Sequence, residues 1–495
     1  MRKGREGNFA GRILDRLGEN SALIEAASGQ ALRGNEIAGR ITGFAAGFLS
    51  NGLRPRDRML ISCALSPPST LAYLGALYAG IVPVLVDERT LTTSGSKVFA
   101  KAHAKAAWTG GRVPWDWAKK NGFLHLEGDF DSPPPDSLPP APCSENDLAA
   151  LMHTSGSTGV PRLVMVTHGN LIANTEAIIR SQQIGADETA MLIMPASYCF
   201  GASILHTHLY QGGGVVFDSR FMFPDKVLQA INTYSCTTFA GVPTVYSILL
   251  RRSNLRSIPL PTLRRFLQAG GALHPESVRE LREIVPGANF LVMYGQTEAT
   301  ARISCLPAAR LGDKSGSAGL PLDNLTVRVV DGQGKELPHG HTGEIQVRGP
   351  SICAGYLDEP EATQQKFGEG WLKTGDLGSL DADGYLWIKG RSSDFIKIRG
   401  YRVSLAEVEA KVAAVPGVGE CAAIGVQHPE AGEAIALFVV GESGEPNGGA
   451  PEKALAKEVQ RALPAQWTCA SVKILAELPK TPNGKIARSE LQTIA

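Results

Sequence analysis

Residues 154–159 read TSGSTG, in which four hydroxyl-bearing residues, Thr154, Ser155, Ser157 and Thr158, are interleaved with Gly156 and Gly159. Glycines let a backbone curl closely around a guest. Successive N–H groups and hydroxyls can then all donate to the oxygens of a phosphate chain. The same composition also makes an ordinary turn. A flexible linker is excluded by the flanks, DLAALMHT and RLVMVTHGNLIAN, which are apolar enough for strands and imply a strand-to-strand turn. The spacing is not that of a Walker loop, and no serine sits in G-x-S-x-G, which argues against a hydrolase elbow.

Four further stretches bear on the choice: VMYGQTEATARIS (292–304), WLKTGDLGSLDADGYLWIKGR (371–391), GRSSDFIKIRGYRVSLAEVE (390–409) and PKTPNGKIAR (479–488). With the Ser/Gly loop, their order and spacing resemble the adenylate-forming superfamily of acyl-CoA synthetases, adenylation domains and luciferases. The resemblance runs from about residue 20 to the end of the chain. It implies a reaction in two steps. A carboxylate attacks the α-phosphorus of ATP to give an acyl-adenylate and pyrophosphate, and a thiol or amine then displaces AMP.

The resemblance assigns residues to that reaction. Thr154, Ser155, Gly156, Ser157, Thr158 and Gly159 match the loop that closes over the β- and γ-phosphates. Thr297 matches a hydroxyl donor to phosphate, and Glu298 matches the carboxylate that holds Mg²⁺. Gly270, Gly271 and Ala272, with Tyr294, Gly295 and Gln296, match the adenine slot. Asp376, expected in a tight turn, matches the ribose anchor, and Arg391 a second ribose or phosphate contact. Lys485 matches the ammonium group that bridges the substrate carboxylate and the α-phosphate while charge builds between them. Lys397 and Gly400 match the thiol channel. Ser393 stands at the hinge, where the superfamily usually has Asp or Lys, and Asp394 follows it. In the phosphate loop the usual P-K-G is replaced by Pro161, Arg162 and Leu163.

Cys199 lies where amino-acid-activating relatives carry an aspartate for the α-ammonium group. An unpaired ammonium in a closed pocket is costly, so α-amino acids are disfavoured. Tyr198, Cys199, Phe200, Phe239, Met293, Gly295 and Ala301 are the candidate walls, and they imply a largely apolar carboxylic acid. His206 and His208, on the same segment, read as core histidines rather than ligands. Coenzyme A is the favoured acceptor. The phosphopantetheine of an acyl carrier protein and, as in coronafacate-ligase-like members, an amino acid's amine are the alternatives. A protein that keeps the fold and only binds nucleotide is disfavoured by the complete set Thr297, Glu298, Asp376, Arg391 and Lys485.

These residues need a scaffold that the rest of the chain supplies. At 495 residues the chain exceeds one hydrophobic core. ALIEAA, RMLISCA and VPVLVDE read as strands, and Ile37, Ile41, Phe44 and Phe48 recur at helical spacing. The expected fold class is α/β. A large N-terminal domain, 1–391, holds stacked mixed sheets and helices with a β subdomain, and a small mobile α+β domain spans 392–495. The Pro-rich stretch 130–145 reads as a surface crossing, and GESGEPNGGAPEK (441–453) as a mobile loop. A net charge of +1 argues against a nucleic-acid binder. No stretch reads as a membrane span. Eight scattered cysteines without C-x-x-C pairs fit a reduced, cytoplasmic setting.

Overall fold

The computed structural model describes residues 7–110, 124–126, 138–154, 162–391, 395–399, 401–441, 450–464, 466–480 and 486–495. Contacts group the chain into two units: Met1–Val327 with Val347–Lys373, and Arg328–Gln346 with Thr374–Ala495.

The first unit is built on two sheets. One has the strand order Leu320–Pro321, Ser304–Leu306, Asn289–Tyr294, Arg265–Gln268, Thr238–Gly241, Thr189–Leu192, Gly214–Phe217, Ala22–Glu25 and Ala31–Arg33. From Asn289–Tyr294 to Ala22–Glu25 every neighbouring pair is parallel. The other sheet runs Leu124–Leu126, Ala106–Trp108, Arg58–Ser62, Val82–Val86, Leu148–Thr154 and Arg162–Thr167, and only its last pair is antiparallel. The helical spacing after Asn35 becomes the helix Gly34–Ser50, whose Ile37, Ile41, Phe44 and Phe48 are all buried on one face. The apolar run at 70–86 divides into a helix, Pro67–Tyr78, buried nearly all round, and the strand Val82–Val86. Among the described residues no helix is long and apolar enough to cross a membrane.

The second unit holds a sheet of order Thr326–Val330, Gly343–Arg348, Leu372–Leu380 and Leu386–Arg391. Its other sheet is centred on the antiparallel pair Val418–His428 and Gly432–Gly441. Ile435, Leu437 and Val439 point into one apolar cluster, shared with Val408 and Val412 of the helix Leu405–Ala413 and Val459 of the helix Ala450–Ala462. Ala436, Phe438 and Val440 point into a second cluster, closed by Leu491 of Arg488–Ile494. Burial on both faces explains the unbroken apolar run AIALFVV. The expected loop 441–453 is corrected at its end. Residues 442–449 lie outside the described residues, but Ala450–Lys453 start a helix, because Leu455, Val459 and Leu463 give that segment one apolar stripe.

Among the buried histidines of the first unit, His168, His206 and His208 share one electrostatic effect. The ring of His168 accepts from the Phe9 N–H at 3.2 Å, His206 meets the Tyr73 hydroxyl at 3.0 Å, and His208 meets the Ile204 carbonyl at 2.9 Å. Burial is the main force that lowers them from 6.5, to about 4, 3 and 4 respectively. A depressed folded pKa means that the unfolded chain binds the proton first. Their contribution is therefore complete above about pH 6.5 and is lost as pH falls towards 4. At pH 5 each forfeits about 2 kcal/mol. The expected result is a steep fall in the urea midpoint between pH 7.5 and pH 5. A flat profile over that range contradicts the neutral, buried assignment.

Candidate active site

Parallel strands deliver their carboxyl ends to one edge of a sheet, and ligands of open α/β sheets bind beyond that edge. Here the edge gathers the turns after Thr189–Leu192, Thr238–Gly241, Arg265–Gln268 and Asn289–Tyr294. After Arg265–Gln268 the chain reverses through Gly270, whose φ of 88° favours glycine. The buried Gln268 pins this turn by donating to the Gly271 carbonyl at 2.7 Å, and Gly271 and Ala272 are left exposed. Tyr294 is half-buried at the end of its strand, and its carbonyl accepts from Ile303 at 2.8 Å.

Immediately after it, Gly295 passes so close to the returning chain that a Cβ would lie 1.8 Å from the Ala301 carbonyl oxygen. That approach folds Thr297–Ala299 into a single 3₁₀ turn. A strap, Ser351–Leu357, then clamps the turn. The Thr300 hydroxyl donates to the Ser351 carbonyl at 2.7 Å, the Cys353 N–H to the Glu298 carbonyl at 3.0 Å, and the Tyr356 hydroxyl to Glu298 Oε1 at 2.7 Å. Burial, reinforced by the Glu298 charge, raises the Tyr356 phenol far above its usual range, so it remains a donor. The other side of the strap zips onto Arg162–Thr167. Ala354 donates to Met165 at 3.0 Å, Met165 to Gly355 at 2.9 Å, and Leu357 to Leu163 at 2.9 Å. Asn170 ties the strap again, through the Pro350 and Ile352 carbonyls at 2.8 and 2.9 Å. The strand that leaves the Ser/Gly loop is thus bolted to the carboxylate expected to hold metal.

The loop itself is entered at Thr154 and left at Arg162, which are register partners on antiparallel strands. Ser155, Gly156, Ser157, Thr158 and Gly159 lie outside the described residues. Arg162 is engaged by Glu359 at 3.1 Å, which also holds Lys101 at 2.7 Å, and its guanidinium lies over the Tyr356 ring. Leu163 is fully buried in the strand, so that position serves the core. His153 packs between the Leu85 carbonyl at 3.1 Å and Asp87 at 3.5 Å. Burial raises the Asp87 carboxyl, but hydrogen bonds from His153 and Thr90 outweigh it and leave it at about 2.

In the second unit Asp376 and Arg391 are cross-strand partners, with Nε 3.4 Å from Oδ1. Asp376 is not in a turn, as expected, but lies buried within Leu372–Leu380, its N–H bound to the Thr374 hydroxyl at 3.0 Å. The turn forms later, where Asp381 accepts from the N–H groups of Asp383 and Tyr385. Lys397 is exposed on Phe395–Ile398. Ser393, Asp394, Gly400 and Lys485 lie outside the described residues, although the neighbours of Lys485, Lys480 and Ile486, form an antiparallel bridge.

The pattern of the AMP-binding enzymes matches residues 13–357, and that of the AMP-binding enzyme C-terminal domain matches 407–485. The chain belongs to the AMP-binding enzymes. It is 34% identical to a feruloyl-CoA synthase of Amycolatopsis sp over 482 residues, covering 94% of each chain. It is 28% identical to a 4-coumarate–CoA ligase of Vanilla planifolia, covering 90% of this chain and 85% of that one. The crystal structure of ATP-bound MatB from Rhodopseudomonas palustris superposes with a TM-score of 0.87 at 26% identity, covering 99% of this chain and 98% of that one. The protein is an AMP-forming acid ligase of the acyl-CoA synthetase type.

For an AMP-binding enzyme the Glu298 carboxylate suits Mg²⁺. It is a hard oxygen donor with one oxygen fixed by Tyr356, and Mg²⁺ is commonly held by one or two carboxylates together with substrate phosphates and water. Among the acid-pocket candidates, Tyr198 precedes the buried helix Cys199–Tyr210, and Cys199, Phe200, Met293 and Ala301 are all buried. Phe239 is packed edge-on against Tyr246 and Phe266 in an aromatic cluster of the core. Met293 accepts from Gln182 through its sulfur. His206 and His208 bind Tyr73 and the helix backbone, as core histidines do. Sequence reasoning missed Tyr356, Cys353 and Asn170. The hydrogen bond from Tyr356 spans 58 residues, and no periodicity or spacing reports a contact of that kind.

Proposed function

We propose that this enzyme adenylates a largely apolar carboxylic acid with ATP and Mg²⁺ and passes the acyl group to coenzyme A. The observation that carries the reading is the strap Ser351–Leu357, which joins the strand leaving the Ser/Gly loop to Glu298. This link supports a reading in which metal and polyphosphate binding are coupled, as a reaction between two anions requires. In this reading Thr154–Gly159 cradle the β- and γ-phosphates, and Thr297 adds a hydroxyl. Glu298 holds Mg²⁺, which supplies charge neutralisation when bound. Gly270, Gly271, Ala272, Tyr294, Gly295 and Gln296 receive the adenine. Asp376 accepts from the ribose hydroxyls beside Arg391, and Lys485 neutralises the carboxylate and α-phosphate. Lys397 and Gly400 line the thiol path after the C-terminal domain, 392–495, turns about a joint at 391–394.

The feruloyl- and 4-coumarate-activating names of the relatives support an acid with an apolar body and coenzyme A as acceptor. None of the eight cysteines, all of them among the described residues, is in a disulfide, which supports a reducing, cytoplasmic setting. The test is pyrophosphate release by the purified enzyme with ATP and Mg²⁺ over a panel of carboxylic acids, with products read by mass spectrometry in the presence of coenzyme A, phosphopantetheinylated carrier protein or amino acids. Acid-dependent AMP and an acyl-CoA are expected. A panel that yields no AMP rejects the reading, and an acyl-carrier or amide product replaces coenzyme A as acceptor.

A further inference from the structure

The sheet edge that carries the active-site turns also encloses a cation that the reaction above leaves unused. Arg302 is 2% exposed, and its main chain is locked to Asn174 by bonds of 2.9 and 3.2 Å. Its guanidinium lies 4.9 Å from the Phe200 ring centroid and donates one long bond, 3.3 Å, to the Ser203 hydroxyl, whose own proton goes to the Phe200 carbonyl. Its Nε has no partner. Among the described residues the ionisable groups that act on it are Cys305, Cys199 and Tyr198, and no Asp or Glu is among them. Burial holds the Tyr198 phenol and the Cys305 thiol in their neutral forms. Burial also lowers Arg302 to about 10, still well above neutral pH, so the cation persists.

The fold treats another buried guanidinium quite differently. Arg265 donates to Glu188 at 2.6 Å and to the Gln182 carbonyl at 3.0 Å. A buried cation without a counter-charge is costly, and a chain keeps one at a loss to its stability unless something else binds it. The groups around Arg302 are Tyr198, Cys199, Phe200 and Ser203, on the segment read above as a wall of the acid pocket.

We propose that Arg302 recognises a second oxyanion on the substrate, so that the acid has an apolar skeleton bearing a carboxylate or sulfonate remote from the carboxylate that is adenylated. This rests on the acid-ligase reading above and narrows its substrate class. The guanidinium supplies a planar fork of donors that matches such a group, and Phe200 supports it from one face. The same cation repels the ammonium of an amino acid.

The test compares matched acids of equal length, each monocarboxylic acid against its ω-carboxylate and ω-sulfonate counterparts, by pyrophosphate release with ATP and Mg²⁺. The wild type is expected to prefer the two-anion acids in kcat/KM by about 10- to 100-fold. Within Arg302→Met the ratio of two-anion to one-anion acid is expected to collapse to about one or below, and Arg302→Lys is expected to keep part of it. The melting temperature of Arg302→Met is expected to match or exceed that of the wild type, since an uncompensated charge has been removed. Preference of the wild type for one-anion acids, an unchanged ratio in Arg302→Met, or a large loss of melting temperature in that variant overturns the assignment and leaves the ligase reading standing. Silence towards every acid instead rejects the ligase reading, and this inference with it.

Discussion

Lys485→Ala is expected to reduce carboxylate-dependent pyrophosphate exchange by about 10²- to 10³-fold or more, while thioester formation from pre-made acyl-adenylate stays close to the wild-type rate. The first step drives one anion onto another, and repulsion rises as the carboxylate oxygen nears the α-phosphorus. A compact ammonium placed between them is worth most at the transition state, so its loss falls on kcat more than on the affinity for either substrate. The second step has no such encounter, because the carboxylate has already become a neutral acyl group and AMP leaves with its charge dispersed. Lys485→Arg keeps the charge but spreads it over a wide fork, and is expected to recover only part of the rate. Equal losses in both half-reactions would mean that the lysine serves the fold or the nucleotide generally. An unchanged exchange rate would remove it from the chemistry.

Periodic features are legible in the sequence alone. The helix after Asn35, the buried strands 58–62 and 82–86, and the antiparallel strands flanking the Ser/Gly loop follow from apolar spacing alone. Asp376 was misread because T-G-D suggests a turn, whereas its pairing with Arg391 decides the matter and local sequence does not report it. The start of the helix at Ala450 was hidden by the Pro and Gly residues before it. The strap was invisible for a different reason. ICAGYLDEP has no period, and its value lies in hydrogen bonds to residues more than fifty positions earlier, at Glu298 and beyond. Arg302 sits inside a recognised motif, yet only burial and the absence of a counter-charge among the described residues mark it out. Local signals thus located the pieces of the site, and long-range packing determined which pieces act on one another.

The strap leads to the second large expectation, a contrast between two neighbouring substitutions. Glu298→Gln is expected to lower adenylation by about 10²- to 10³-fold at saturating ATP, since it removes the negative charge proposed to hold Mg²⁺ and keeps the side chain's shape. Tyr356→Phe keeps the charge and removes one hydrogen bond, the 2.7 Å contact that orients Oε1. A bond to a charged group is worth about 1.5–3 kcal/mol, so a loss of about 10- to 100-fold is expected, and a rise in the Mg²⁺ requirement should accompany it. The double variant should then be no worse than Glu298→Gln, because an orienting hydroxyl has nothing left to orient. If the two losses instead multiply, Tyr356 acts on the reaction through some route other than Glu298. If Glu298→Gln retains wild-type activity at low Mg²⁺, the metal is held elsewhere, and the coupling of strap, carboxylate and phosphate loop is structural only.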